Sequence, residues 1–259
     1  MSQPITPDAA SALPHADQLA LKTDAARSLT AALALAALPA VALGAAGGLG
    51  TDFSIKVLML FGVLSWLVWR GMFTPQGAPH PHGRFGGANR VTLFRLGVCA
   101  LLASLLGESL PQQAWWAVVV LATATALLDA VDGPLARRSG LASAFGARFD
   151  METDAFFTLV LCALVWQADK TGGWVLAGGL MRYAFVAATY VWPWLNAALP
   201  PSRRRQAVCV VQITALIVCL GPIVPPLLAS ALAAISLALL TLSFAIDIRF
   251  LHRAPSTET

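Results

Sequence analysis

Eight apolar segments constrain this chain more than any other feature of its sequence. They cover residues 28–48, 55–71, 91–107, 113–136, 142–168, 172–195, 206–221 and 226–248. A helix needs about 20 mostly apolar residues to cross the hydrocarbon core of a bilayer. Only 12% of the 259 residues are charged, and the mean hydropathy is +0.72. The sequence therefore predicts an all-α integral membrane protein with eight transmembrane helices.

Polar, proline-rich and glycine-rich stretches divide the chain between these segments. We predict a polar N-terminal segment at 1–27, two transmembrane helices within 28–73, a linker at 74–90, a six-helix domain at 91–250 and a polar tail at 251–259. Lysine and arginine are concentrated on the side that carries both termini and the linker. The positive-inside rule therefore predicts that this side is cytoplasmic, and we expect the inner membrane of a bacterium.

The net charge of +4 is dispersed among the loops and forms no basic stripe. This distribution does not indicate nucleic-acid binding. We expect membrane lipids around the apolar helices instead.

Acidic and small residues share helix faces in the fourth and fifth segments. If these segments are helices, the first face carries Asp129, Asp132, Gly133 and Ala136, and the second carries Gly146, Asp150 and Asp154. A short turn between the two helices would bring the four carboxylates together.

Four carboxylates in an apolar environment require compensation, since each costs about 3 kcal/mol on insertion scales. Arg137 and Arg148 could neutralise two of them at most. Hard oxygen ligands suit Mg²⁺ or Mn²⁺, and two such ions could bridge a pyrophosphate. A helix pair held by Asp–Arg bridges is the structural alternative. Such bridges would not need small residues on the same faces as the acids.

The pattern D-x₂-D-G-x₂-A-R-x₈-G-x₃-D-x₃-D, which runs from Asp129 to Asp154, resembles the signature of the CDP-alcohol phosphatidyltransferase family. The similarity covers about residues 86–250. Asn89, Thr92 and Arg95 also resemble the N-x-x-T-x-x-R pattern that the first core helix of the family often carries. The resemblance implies a six-helix catalytic domain, with the two N-terminal helices as an addition.

The resemblance also implies a reaction. A phosphatidyl group would pass from CDP-diacylglycerol to a polar alcohol, with release of CMP, in phospholipid biosynthesis. The implied ligands of two Mg²⁺ or Mn²⁺ ions are Asp129, Asp132, Asp150 and Asp154, and Asp154 would also act as general base. The implied donor-binding residues are Asn89, Thr92, Gly133, Ala136, Arg137 and Gly146.

The acceptor is less constrained by the sequence. Arginines that could bind an anionic acceptor such as glycerol 3-phosphate are Arg148, Arg182, Arg203, Arg204 and Arg205. The same residues near the helix ends would also satisfy the positive-inside rule. A homodimer is left open.

Two alternatives remain from the sequence. The donor could be CDP-choline or CDP-ethanolamine, with diacylglycerol as acceptor. A channel or transporter lined by the acids is the alternative that is not an enzyme, and it would place ionisable residues through the full depth of the membrane.

Overall fold

The computed structural model describes residues 15–46, 49–73, 82–139, 141, 143–197 and 199–253. Side chains are described for the same residues except 15, 39, 43–46 and 130–139. The helices are α1 (His15–Ala46), α2 (Gly50–Phe73), α3 (Gly87–Ser104), α4 (Ala114–Ser139), α5 (Ala144–Gln167), α6 (Leu176–Val191), α7 (Arg203–Cys219) and α8 (Pro226–Arg253). Short 3₁₀ turns lie at Gly173–Val175 and Pro193–Asn196, and the described residues contain no strand.

Among the described residues, four helical stretches are long and apolar enough to cross a membrane. They are Ala16–Ala42, Gly50–Phe73, Gly173–Val191 and Pro226–Arg253. The helices α3, α4 and α5 carry several charged residues, and α7 has 17 residues and begins with three arginines. The prediction of an all-α membrane protein is confirmed. The helices that do not meet this criterion of length and apolar composition include α3, α4 and α5, which carry the predicted site.

Several helices begin earlier than the apolar pattern predicts. The first begins at His15 rather than near residue 28, because Leu21, Ala25 and Leu29 recur every fourth residue and are buried. Charged residues between them mask this stripe in the sequence. Similarly, α3 begins at Gly87, within the segment predicted as linker. Residues 1–14, 74–81 and 254–259, on which parts of the predicted terminal segments and linker fall, lie outside the described residues.

The chain divides into two compact units, and the first comprises Met1–Ser104 and Thr125–Asp154. Within it, α1 packs against α2, and both pack against α3. The buried face of α2 carries Phe53, Val57 and Phe61. A Cβ added at Gly97 of α3 would lie 3.6 Å from the Phe61 ring, an ordinary contact distance. The two N-terminal helices therefore form a packed layer against α3.

The second unit comprises Leu105–Ala124 and Ala155–Thr259, in which α7 packs against α8 and α6 also contacts α8. A Cβ added at Gly179 would lie only 2.5 Å from the Cα of Leu159. Glycine at this position is therefore what allows α6 to approach α5 so closely. Gln167 at the end of α5 donates to the carbonyls of Leu105 and Glu108, at 3.0 and 3.1 Å, and so holds the loop that follows α3.

Candidate active site

Three aspartates on two consecutive helices converge in the first unit. Asp129 lies on α4, and Asp150 and Asp154 lie one turn apart on α5. One carboxylate oxygen from each lies within 4.8 Å of the other two. About a third of each side chain is exposed to solvent: 36% for Asp129, 36% for Asp150 and 35% for Asp154. The cluster is therefore confined by the helices and still open to a ligand.

A buried arginine from α3 lies against all three carboxylates. The Nη1 atom of Arg95 is 2.8 Å from Oδ1 of Asp129 and 2.8 Å from Oδ1 of Asp150, and Nη2 donates to Oδ1 of Asp154. The Arg95 side chain is only 1% exposed. A guanidinium without these partners would be strongly disfavoured in such a place. Arg95 and the three carboxylates therefore stabilise one another.

The composition of this group fits a divalent cation. All the candidate ligand atoms are carboxylate oxygens, which Mg²⁺ and Mn²⁺ prefer over nitrogen or sulfur. Three carboxylates against one guanidinium also leave the group of four with a negative balance. The partial exposure of the three aspartates gives a cation a way to reach them. The donor set, its charge and its access all suit a hard metal ion.

The side chains of Asp132, Gly133, Ala136 and Arg137 lie outside the described residues, although the α4 backbone is helical as far as Ser139. The spacing of these residues places them on one face only if the backbone is helical, and it is helical here. Their predicted roles as metal ligand and donor-binding residues stay predictions.

Asn89 and Gly146 meet where α3 and α5 approach each other. Asn89 is 6% exposed, and its Nδ2 donates to the carbonyl of Phe85 at 2.6 Å. A Cβ added at Gly146 would lie 2.7 Å from Oδ1 of Asn89 and 3.3 Å from Oγ of Ser143. Ser143 accepts a hydrogen bond from the Gly146 amide at 3.0 Å and so caps the start of α5. Gly146 thus admits the amide of Asn89, and its predicted role in donor binding stays a prediction.

Thr92, the other predicted donor-binding residue of α3, is buried. Its hydroxyl donates to the carbonyl of Ala88 at 3.2 Å, within its own helix. This bond fixes the side chain and does not by itself indicate a ligand.

The arginines at the start of α7 are held by an acid on α8. Arg204 donates through Nη1 to the carbonyl and the hydroxyl of Ser243, at 2.7 and 2.6 Å, and through Nη2 to Asp247. Arg205 lies 3.4 Å from the same carboxylate, which is largely buried, whereas Arg203 is exposed. Two of the three predicted acceptor arginines therefore come together on Asp247.

The remaining predicted acceptor residues lie at two other places in the chain. Arg148 is exposed in the first turns of α5, and Arg182 is half-buried near the middle of α6. Their role in acceptor binding stays a prediction.

Two residues that hold these charged groups together, Arg95 and Asp247, were not among the predicted site residues. Arg95 sits in the middle of the apolar α3, and an arginine in such a segment is itself a signal of function. It also forms part of the N-x-x-T-x-x-R pattern, so both signals were available. Asp247 near the end of α8 gave a weaker signal, because an acid so close to a helix end is usually solvated.

These features define an all-helical membrane protein with a carboxylate–arginine site of oxygen ligands. The sequence pattern of the CDP-alcohol phosphatidyltransferase family matches residues 86–244, which is more than half of the chain. The chain belongs to this family. No curated protein and no solved structure matches the chain.

Membership establishes the general chemistry. The protein is a membrane-bound transferase of substituted phosphate groups, which acts in phospholipid synthesis on a CDP-linked donor and an alcohol acceptor. Members of the family typically depend on a divalent metal, in agreement with the aspartate cluster.

The position of Arg95 leads to a prediction about stability. Replacement of Arg95 by Gln removes the buried cation, and we expect the free energy of unfolding in chelator to fall by about 3 kcal/mol. Added Mn²⁺ should restore part of this loss, because it supplies positive charge to the same carboxylates. Thermal unfolding of the detergent-solubilised protein, with and without Mn²⁺, measures both effects.

The matched control is Arg249→Gln, which removes the same charge from an exposed position on α8. Its unfolding should remain close to native and insensitive to Mn²⁺. If Arg95→Gln unfolded like this control in chelator, the three carboxylates would not depend on Arg95.

Proposed function

We propose that this protein transfers the phosphatidyl group of CDP-diacylglycerol to a polar alcohol and releases CMP. The observation that supports the proposal most directly is the convergence of Asp129, Asp150 and Asp154 on Arg95, within the region that matches the family. Transfer of a phosphoryl group requires positioning and charge neutralisation more than covalent help from the protein. Three carboxylates that hold a divalent metal, with Arg95 fixing their positions, would meet that requirement.

Asp129, Asp150 and Asp154 would hold the divalent metal, with Asp132 as a further ligand. When bound, the metal would neutralise the pyrophosphate of the donor. Arg95 would keep the three carboxylates in place before the metal and the donor arrive. Asn89, Thr92, Gly133, Ala136, Arg137 and Gly146 are the proposed donor-binding residues.

The proposed step forms one bond and breaks another at phosphorus. The acceptor hydroxyl oxygen bonds to the phosphorus of the phosphatidyl group, and the bond from that phosphorus to the CMP oxygen breaks. Asp154 takes the hydroxyl proton, and CMP leaves with the bonding electrons. A hydroxyl is a weak nucleophile, so a carboxylate that accepts its proton accelerates the attack. The product is a phosphodiester.

We further propose an acceptor that carries its own phosphate, such as glycerol 3-phosphate. Arg203 is exposed at the start of α7, and contacts with Asp247 and Ser243 hold Arg204 and Arg205. Arginine held in this way loses little freedom when it binds phosphate. Arg148 and Arg182 are the further candidates. The cytoplasmic orientation and the bacterial inner membrane belong to the same proposal, whereas the comparisons give no support to a homodimer.

The test of the reaction uses the purified full-length protein with CDP-diacylglycerol, Mn²⁺ and a panel of alcohols. Mass spectrometry should detect a new phosphodiester lipid in an amount equal to the CMP released. We expect glycerol 3-phosphate to be used better than serine, and excess EDTA to abolish turnover.

Several outcomes would change the proposal. Product from CDP-choline and diacylglycerol, with none from CDP-diacylglycerol, would show that the donor is wrong. Efficient use of serine, with no use of glycerol 3-phosphate, would remove the phosphate-binding role of the arginines. Full turnover in excess EDTA would refute the metal site.

The general base is tested by Asp154→Asn, which preserves size but cannot accept the proton. We expect kcat to fall by about 100-fold or more, with little change in donor KM. The matched control is Asp169→Asn, in the exposed loop after α5, where the φ of 53° is tolerated by asparagine. Near-native kcat in Asp154→Asn would show that another group takes the proton.

The donor-binding role of Gly146 is tested by Gly146→Ala. The new Cβ would displace the Asn89 amide, since it would lie 2.7 Å from its oxygen. We expect donor KM to rise by on the order of tenfold. The control is Gly97→Ala on α3, whose Cβ would meet only the Phe61 ring at 3.6 Å. If donor KM stayed native in Gly146→Ala, this glycine would serve helix packing alone.

A further inference from the structure

An aspartate on α1 binds the segment that leads into α3. Oδ2 of Asp24 accepts a hydrogen bond from the Phe85 amide at 2.9 Å, and Oδ1 accepts one from Nη2 of Arg90 at 2.6 Å. Nε of Arg90 also donates to the hydroxyl of Ser28 at 3.2 Å. We define Asp24, Phe85 and Arg90 as the α1 clasp. Asp24 lies outside residues 86–244, the part of the chain that matches the family.

The clasp fixes a residue whose carbonyl holds Asn89. Phe85 is fully buried, and its carbonyl accepts the hydrogen bond from Nδ2 of Asn89 at 2.6 Å. A carbonyl can only accept, so the NH₂ group of Asn89 must face Phe85, and its Oδ1 is turned away. That oxygen is the atom next to Gly146. The orientation of the Asn89 amide therefore depends on the Phe85 carbonyl.

The Phe85 carbonyl belongs to a peptide unit that needs an external restraint. The next residue, Gly86, has a φ of +89°, a conformation that glycine adopts at no steric cost. A peptide unit beside a glycine rotates more easily than one between residues with side chains. Asp24 restrains it from the other side by holding the amide of Phe85. A continuous series of hydrogen bonds thus runs from α1 through Phe85 to Asn89.

We propose that Asp24 is a positioning residue for the donor-binding site, which acts through Phe85 to turn the Asn89 amide oxygen towards Gly146. The inference rests on the proposed function, because it takes Asn89 as a donor-binding residue. It gives the N-terminal helices a role in the reaction: α1 sets the geometry at the start of α3. Arg90 strengthens the clasp through its contact with Asp24, but it is not part of the series of hydrogen bonds that reaches Asn89.

The test is a double-mutant cycle between Asp24→Asn and Asn89→Ala in the full-length protein. Asp24→Asn weakens one hydrogen bond to a charged group, so Asp24→Asn alone should raise donor KM by about tenfold. The values of kcat and of the melting temperature should stay near native. In the Asn89→Ala background it should cause no further change, since the residue through which it acts is gone. Arg90→Gln should have a smaller effect than Asp24→Asn.

The matched control is Asp52→Asn, which removes the same charge from an exposed position on α2. It should leave donor KM unchanged. Equal increases in donor KM from Asp24→Asn in the native and Asn89→Ala backgrounds would overturn the proposal. A loss of melting temperature and kcat without a specific change in donor KM would also overturn it, because Asp24 would then only support the fold.

Hydrogen–deuterium exchange separates this inference from the proposed function. In Asp24→Asn, a peptide that contains Phe85 should exchange faster than in the native protein and in Asp52→Asn. Unchanged exchange would refute the clasp even if the enzyme turns over CDP-diacylglycerol. Conversely, if the native protein turned over no CDP-linked donor, the proposed function would be wrong, and the exchange result would still decide whether Asp24 restrains Phe85.

Discussion

The buried guanidinium of Arg95 is the interaction on which the site depends. Three helices contribute to it: α3 provides the cation, and α4 and α5 provide the carboxylates. Each of these charges would be unfavourable alone in an apolar bundle. Together they are stable, and they fix the relative positions of the three helices at that point. The same contact that stabilises the structure therefore also sets the positions of the carboxylate oxygens.

Charge is distributed in opposite ways in the two groups of ionic contacts. Around Arg95, three acids surround one base, which suits a cation. Around Asp247, two arginines share one acid, which suits an anion. Each group holds its minority charge in the more buried position, and the majority charges are more exposed. A buried counter-ion thus holds the more exposed charges of each group in place.

The sequence predicted the helices because apolar runs are a local property, and helical spacing placed the four acids on two helix faces for the same reason. The predicted convergence also needed a short turn between the helices; it is found for Asp129, Asp150 and Asp154, whereas the side chain of Asp132 lies outside the described residues. The pairing of Arg95 with these acids was not predicted, because the partners are distant along the sequence. Asp150 and Asp154 lie 55 and 59 residues after Arg95. The early start of α1 was hidden because charged residues lie between Leu21, Ala25 and Leu29 and lower the mean hydropathy there. The contact of Asn89 with Gly146 depends on how α3 and α5 pack, which residue spacing does not determine.

The order of residues along the chain has a consequence for how Arg95 enters the membrane. The ribosome makes Arg95 before any of its three carboxylate partners, and Asp154 follows 59 residues later. At about 5–20 residues per second, several seconds separate the two. Until the first of these acids is made, a lone arginine in α3 opposes insertion by about 3 kcal/mol. Since α1 and α2 are made first and pack against α3, they can retain this helix until α4 and α5 supply the opposite charge.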